Sequence, residues 1–316
     1  SGVGTAFKLV QALYKKMKPE DLEQLKWFLD LVAIGTIADC VTLLGENRVL
    51  VKYGLIVLSK TKRAGLLEMF KVGRIDINEE KIPDTHKVAF QISPRINAAG
   101  RMNHASTSFK LMTERGRVKA RSLALEIEEA NQNRQKITGE IAREARVLAE
   151  NSFKDKKLIF AYSEHWKVGI LGLIAGKISD EFQKPTAVFQ KQDHEFVGSL
   201  RSIRQLNLIK ALEKCSDILI KFGGHSQAAG VRVAHDKMEE FYERLSEIVE
   251  KELKGKELIP EIEIDMRIEL EEIDWDMLID LKKMEPFGEG NEKPVFLTKD
   301  VLIEDVRIVG NGSKHL

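Results

Sequence analysis

The sequence predicts an α/β chain of more than one domain, with a long helix between two α/β parts and a small β module at its end. Between about residues 155 and 253, strand-like and helix-like patterns alternate at the spacing of an α/β sheet. A proline-free and highly charged helical stretch precedes that region, and period-two segments return after residue 256.

Composition sets the outer limits. A chain of 316 residues, 43% hydrophobic and 31% charged, has room for two domains and a fragment and reads as an ordinary soluble globular protein. A net charge of +1 means that any basic groove for a polyanion must be local. Cys40 and Cys215 stand far apart in unlike contexts, forming neither a disulfide framework nor a zinc pattern, which suits a reducing cytoplasm. No apolar run approaches the roughly 20 residues of a membrane span, and the N-terminus lacks a signal-peptide layout. The expected location is cytoplasmic. The chain opens on Ser1-Gly2-Val3-Gly4 without an initiator methionine and stops soon after a strand pattern and a Gly310-Asn311-Gly312 turn. These ends predict a piece of a longer protein, cut on both sides.

Taken in order, residues to about 105 alternate helices with short strand-like segments. Ala6 to Lys16 is helical, and Leu22 to Ala33 is a helix with Trp27, Phe28 and Leu31 on one face. Leu31 to Ala38 is apolar throughout, as a fully buried segment would be, and delivers Asp39 at its end. Arg48 to Ser59 is again helical. Ser106 to Asn151 is the long charged helix, in which Arg134, Lys136, Arg143 and Arg146 follow Glu126, Glu128 and Glu129 and read as a solvated face. Strands are expected at Lys157–Tyr162, Pro185–Phe189 and Val197–Ser202, with a glycine-rich helix start at Val168–Gly176. A helix from Leu208 to Lys214 leads to a Gly223-Gly224-His225 turn, and a strand opens at Val231. Beyond residue 256, Glu261–Asp265 and Val301–Val306 alternate as half-exposed antiparallel strands around a helix at Trp275–Met284 and the segment Pro286–Asn291.

Four places carry chemistry. Asp39 stands where a buried segment emerges; a carboxylate there suits a hard divalent cation, and taken alone it reads equally as a helix cap. Arg95 and Arg101 bracket Asn97 and an Ala98-Ala99-Gly100 turn, a spacing suited to phosphate oxygens. Ser199 and Arg201 sit two apart on a strand, so a hydroxyl and a guanidinium point the same way as a phosphate clamp. Gly223, Gly224 and Gly230 let backbone approach a ligand around His225, which can donate or accept a proton near neutral pH. Tyr162, His165 and Trp166 offer rings for stacking on bases, with Trp166 equally readable as core.

The ordered set Ile34–Asp39, Pro94–Arg101, Trp166–Gly172, Gly198–Ile203, Gly223–Gly230 and Pro286–Asn291 resembles the RecJ family of single-strand-specific exonucleases, within the DHH phosphoesterase superfamily. These motifs cover nearly the whole chain in the family's order. The resemblance implies an α/β architecture in four parts. Residues 1–105 would be the C-terminal part of a DHH phosphoesterase domain, and 106–151 a connecting helix. Residues 152–255 would form the DHH-associated domain, and 256–316 the truncated start of an OB-like nucleic-acid-binding barrel. It implies a nuclease of DNA repair and recombination that removes nucleotides from the 5′ end of single-stranded DNA by two-metal catalysis with Mn²⁺ or Mg²⁺. By the same resemblance Asp39 would be a metal ligand, Asn97, Arg101 and more weakly Arg95 would surround the substrate's terminal phosphates, and Ser199 and Arg201 would receive the 5′ phosphate. His225 would face the scissile phosphate.

The departures bear on activity. The family's Asp-His-His and the Asp-x-Asp pair of its first metal motif are not present; the family places both upstream of the segment that Ser1 to Leu13 resembles. Asp39 alone cannot hold two metals, so residues outside this chain are expected to complete the site and the chain alone is expected to be inactive. Lys167 stands where many relatives carry histidine. Two other readings remain open: a phosphoesterase acting on short oligonucleotides or cyclic dinucleotides, and a non-catalytic DNA-binding scaffold with a degenerate nuclease fold.

Overall fold

The structure is a computed structural model that describes residues 1–102 and 104–309. The Gly310–Gly312 turn and the tail after it lie outside the described residues. In chain order the first helices are α1 (Gly2–Met17), α2 (Leu29–Ala38), α3 (Gly45–Ser59), α4 (Ala64–Val72), the single turn α5 (Thr85–Lys87), α6 (Ser93–Met102), α7 (Ser106–Thr113) and α8 (Arg117–Ser152). Then follow β1 (Ile159–Ser163), α9 (Val168–Phe182), β2 (Thr186–Lys191), β3 (Glu195–Arg201), α10 (Leu208–Glu213), β4 (Leu219–His225), β5 (Ala228–Ala234) and α11 (Met238–Glu252). Last come β6 (Met266–Arg267), α12 (Trp275–Lys283) and β7 (Phe296–Leu297). These elements gather into two compact units, one of Ser1–Thr61, Ile77–Phe90 and the described part of Glu261–Leu316, the other of Lys62–Asp76 and Gln91–Pro260.

In the first unit the side chain of Ser1 caps α1 by accepting from the backbone N–H of Gly4 at 3.0 Å. Phe7, Leu25 and Val32 form one small core cluster beneath α1. The apolar run that ends at Asp39 is the helix α2, packed against both α1 and α3. Val32, Ala33, Ile34, Thr36 and Ile37 are all buried, so the run carries no polar stripe to reveal its helical period. The expected strands of this region are replaced by helices; among the described residues it holds only an isolated bridge between Asn78 and Lys81.

The period-two segments Glu261–Asp265 and Val301–Val306 are not strands either. Pairing falls instead between β6 and β7, which run parallel over two residues each. A strand requires a partner for its N–H and C=O groups, and at the second segment Leu302 and Ile303 remain 83% and 73% exposed. The Pro286–Asn291 segment is a tight turn closed by reciprocal Gly288 and Asn291 backbone bonds of 2.9 Å, and Leu43 N–H donates to the Glu289 carbonyl at 2.7 Å.

The second unit is built on a five-stranded sheet of order β1-β2-β3-β5-β4, in which only the β1–β2 pair is parallel. One face packs under α10 and α11 with Phe189, Leu200, Val231, Phe241 and Leu245 in its core. The other is covered over β1 and β2 by α8 and α9 through Val188, Ile141, Ile170 and Ile174. Gly198 leaves room for the ring of Phe189, which a Cβ at that position would strike. A register shift between Leu219 and Lys221 bulges the edge strand β4.

α8 is 36 residues long, about 54 Å at the α-helical rise. It is not a solvated rod. Ala120, Ala124 and Ile127 are buried in its first half, which packs on α4, α6 and α7, and Ile141, Ala145 and Ala149 are buried in its second, against α9 and β1. Asn131 and Thr138 lie between them on the same buried stripe. Among the described residues no helix is long and apolar enough to cross a membrane.

The two cysteines are free, Cys40 exposed and Cys215 buried, and burial pushes the Cys215 thiol up to about 11. Iodoacetamide at pH 8 is expected to alkylate one thiol of the native protein, at Cys40, and the second only in denaturant. Mass spectrometry reads both, and rapid native labelling of Cys215 would show that its core position is wrong.

Candidate functional site

β3 alternates between the two faces of the sheet. Phe196 and Leu200 enter the core beneath α10 and α11, while Val197, Ser199 and Arg201 point to the α9 side. There Arg201 Nη1 donates to the Leu200 carbonyl at 2.9 Å and to Ser199 Oγ at 3.3 Å, a weak contact, so both side chains lie together. Burial, and then the charge of Arg101, lower the Arg201 guanidinium below its ordinary value. Gly172, in the second turn of α9, faces the pair: a Cβ there would lie 3.0 Å from Arg201 Nη2 and 3.3 Å from Ser199 Oγ. The start of α9, one turn before Gly172, carries no side-chain cap, and the Ile170 N–H donates to the Lys167 carbonyl at 3.1 Å; the N-terminal end of the helix adds a partial positive charge to this face.

The glycine–histidine segment is not itself a turn. Gly223, Gly224 and His225 end β4, the reversal falls on Ser226 and Gln227, and β5 starts at Ala228. Register explains what the glycines do. Ser199 is opposite Gly230, which is opposite Gly223; Arg201 is opposite Ala228, which is opposite His225. Directly opposed residues share a face, so Ser199 and Arg201 look across a floor of two glycines and an alanine toward His225, about 10 Å away over two inter-strand steps. His225 is exposed, and its Nδ1 accepts from the Gln227 N–H at 3.4 Å. Gly224 faces the opposite way, with φ at +153° and no space for a Cβ against the Ala228 and Ala229 backbone.

Asn97 and Arg101 lie on α6, which replaces the expected small-residue turn. A π-helical turn at Val88–Ile92 precedes it, and that wider turn eases the fit of the Pro94 ring to the preceding backbone. Four residues apart, Asn97 and Arg101 share one exposed face. Arg101 Nη1 donates to the Gly169 carbonyl at 3.1 Å, which joins α6 to the start of α9. Arg95 is a correction. It falls on a different face of α6, where its Nε bonds Glu128 at 2.6 Å and its Nη1 the Gln91 carbonyl at 2.7 Å, with both side chains only 14% exposed. Its donors are committed to holding α6 on α8. For Trp166 the structure decides between the two readings: 1% exposed and donating to Glu144 at 2.9 Å, it is core and cannot stack on a base. Tyr162 and His165 are exposed.

The sequence reading placed Arg134 on a solvated face. It lies instead beside the buried stripe of α8, and its Nη2 donates to buried Asn131 at 2.9 Å. Its position three residues after Asn131 and four before Thr138 was the available signal.

Asp39 belongs to the first unit, exposed at the C-cap of α2. The C-terminal end of a helix favours a cation nearby. Among the described residues, however, no three His, Cys, Asp or Glu side chains converge as a metal site. One exposed carboxylate does not fit a two-metal centre. The same unit has an open cavity of about 940 Å³ lined by Ile37, Leu55, Pro83, Phe90 and Phe287 among others; none of the sequence-predicted site residues lines it.

Two adjacent glycines therefore make different demands. Gly224→Ala is expected to destabilise the second unit by about 1–3 kcal/mol through backbone strain. Gly223→Ala, with open space at its Cβ, is expected to stay within about 1 kcal/mol. Denaturant melts of the two variants check this, and equal losses would contradict the register given for β4.

Comparison with known proteins was made over this geometry. The family model of the DHHA1 domain matches residues 155–251 and that of the RecJ OB domain matches residues 264–316. The chain is 36% identical over its whole length to the single-stranded-DNA-specific exonuclease RecJ of Bacillus subtilis, and 31% identical to that of Haemophilus influenzae. It spans 39% of the first and 57% of the second. Crystal structures of RecJ from Thermus thermophilus with Mn²⁺ and with Mg²⁺ superpose with TM-scores of 0.82 and 0.79 at 27% identity. These superpositions cover 93% and 92% of this chain and 42% and 44% of those. Matched in both named domains and along its full length, the chain is similar throughout to one part of the single-stranded-DNA-specific exonucleases RecJ.

Proposed function

We propose that this chain forms the substrate-holding part of a divalent-metal-dependent exonuclease that removes nucleotides from the 5′ end of single-stranded DNA. The observation that carries the reading is the Ser199–Arg201 pair. It is a hydroxyl and a guanidinium side by side, without a carboxylate partner among the described residues, facing Gly172 in the second turn of α9 and open to a floor without bulky side chains. A terminal phosphate supplies the missing negative charge and accepts bonds from the guanidinium and the hydroxyl.

Ser199 and Arg201 hold that phosphate and so fix the distance to the next phosphodiester bond. Arg101, tied to Gly169, adds a second guanidinium on the helix side, and Asn97 offers its amide to a phosphate or sugar oxygen one turn earlier. The bare floor of Gly223 and Gly230 lets a strand lie close to the backbone. His225 stands at its far side, where it donates to phosphoryl oxygens or moves a proton. Arg95 has no part in this, being committed to Glu128. The metals are not assigned to residues of this chain beyond Asp39, and no step is derived through them. The relatives' names support a DNA strand as the substrate rather than a cyclic dinucleotide, and a nuclease rather than a scaffold.

Arg201→Ala in the full-length protein is expected to weaken binding of a 5′-phosphorylated single strand by about tenfold or more, the worth of a charge-assisted hydrogen bond. Binding of the 5′-hydroxyl strand is expected to change far less. Fluorescence anisotropy with both strands checks this, and equal binding of both ends before and after the substitution would remove Arg201 from the clamp. Manganese-dependent release of mononucleotides from the same strands tests the activity.

A further inference from the structure

The middle of α8 is built against the usual logic of a buried stripe. Its buried positions are apolar at both ends and polar at the centre, where Asn131 and Thr138 flank the half-buried Arg134. A polar layer of this kind is tolerated when its donors are satisfied. Here they are not. Arg134 donates from Nη2 to Asn131, but its Nε is buried without a hydrogen-bond partner among the described residues, and so is Thr138 Oγ1. A guanidinium kept for packing alone would have its fork satisfied by carbonyls or a carboxylate, as Arg95 has.

Its neighbours sharpen the point. Burial, then Arg101, then Arg95, lower the Arg134 guanidinium below its ordinary value. Arg95 is neutralised by Glu128. Arg101 is not: its bond goes to a carbonyl, as those of Arg201 go to a carbonyl and a hydroxyl. Arg101, Arg134 and Arg201 thus each stand without a carboxylate partner among the described residues. Arg101 stands on α6, which packs on both α8 and α9; it is tied to Gly169 of α9, whose Gly172 faces Arg201, and its charge reaches Arg134 as well as Arg201. Separated cations match a ligand whose negative charges are themselves spaced along a chain, and not a single small anion.

We infer that Arg134 is a further substrate-binding residue, which together with Arg101 holds the phosphodiester that follows the terminal phosphate of a bound strand. This rests on the reading of Ser199 and Arg201 as the terminal-phosphate clamp. The buried donors are the price of an anion site prepared before its ligand arrives.

The test compares two ligands that differ by one phosphate: thymidine 5′-monophosphate and the 5′-phosphorylated thymidine dinucleotide. Titration calorimetry on the full-length protein is expected to show that Arg134→Gln weakens the dinucleotide by about tenfold and the mononucleotide by less than about twofold. Arg134→Lys, which keeps the charge, should recover part of the loss, and Arg201→Gln should weaken both ligands. Without ligand, Arg134→Gln should melt no lower than the parent, because it removes an uncompensated charge. Unchanged dinucleotide affinity in Arg134→Gln overturns the inference. So does a lower melting temperature with equal losses for both ligands, which would make Arg134 a packing residue. If the unaltered protein binds neither ligand, the clamp reading falls together with the inference, an outcome distinct from a variant that binds as the parent does.

Discussion

The alternation of β3 is the constraint on which the rest of the second unit depends. Leu200 must enter the core beneath α10 and α11, and this alone turns Ser199 and Arg201 to the opposite face. A slip of one residue would bury a guanidinium among phenylalanines and expose the leucine, so packing energy enforces the register. β2 and β5 hold it from both sides, with Ser199 opposite Val188 on one and Gly230 on the other. The same ladder then sets Gly223 beside Gly230 and His225 beside Ala228. The face that carries Ser199 and Arg201 is therefore a by-product of a well-packed core.

Charge is arranged with similar economy. Most arginines of this unit whose contacts are described have acidic partners: Arg95 with Glu128, Arg146 with Glu181, Arg232 with Glu195, Arg244 with Asp217 and Glu240. Arg101, Arg134 and Arg201 form the contrasting set. In a chain with a net charge of +1, these three guanidiniums have no carboxylate partner among the described residues, a local charge that a global charge count would hide.

Much of this was legible in the sequence. The strands β1 to β3 showed β-rich patterns, and the shared face of Ser199 and Arg201 followed from two-residue spacing on a strand. The failures share physical causes. α2 is buried on all sides and so lacks the polar stripe that marks a helix. α6 contains Pro94 and Gly100, weak helix formers, and tertiary contacts such as Arg95 to Glu128 override their propensity. The reversal after β4 was placed on Gly223 and Gly224, because glycine signals a turn more often than it signals a floor. Arg134 was hidden by its neighbours: in a helix crowded with charge, one arginine on the inner stripe looks like the others on the outer. The alternation at residues 261–265 and 301–306 was real as a pattern, but pairing is a property of two segments and one segment does not report it.

The bulge between Leu219 and Lys221 in β4 has a bearing on self-association. β4 is an edge of the sheet, and an edge that includes consecutive glycines is flat, flexible and open to recruitment by the same strand of another copy. Leaving the floor bare for a ligand would by itself invite that pairing. The bulge twists the edge out of register for a flat partner, and Lys221 puts like charges face to face when two copies meet. The irregular start of the strand thus allows its glycine end to stay uncovered without turning the molecule into the seed of an aggregate.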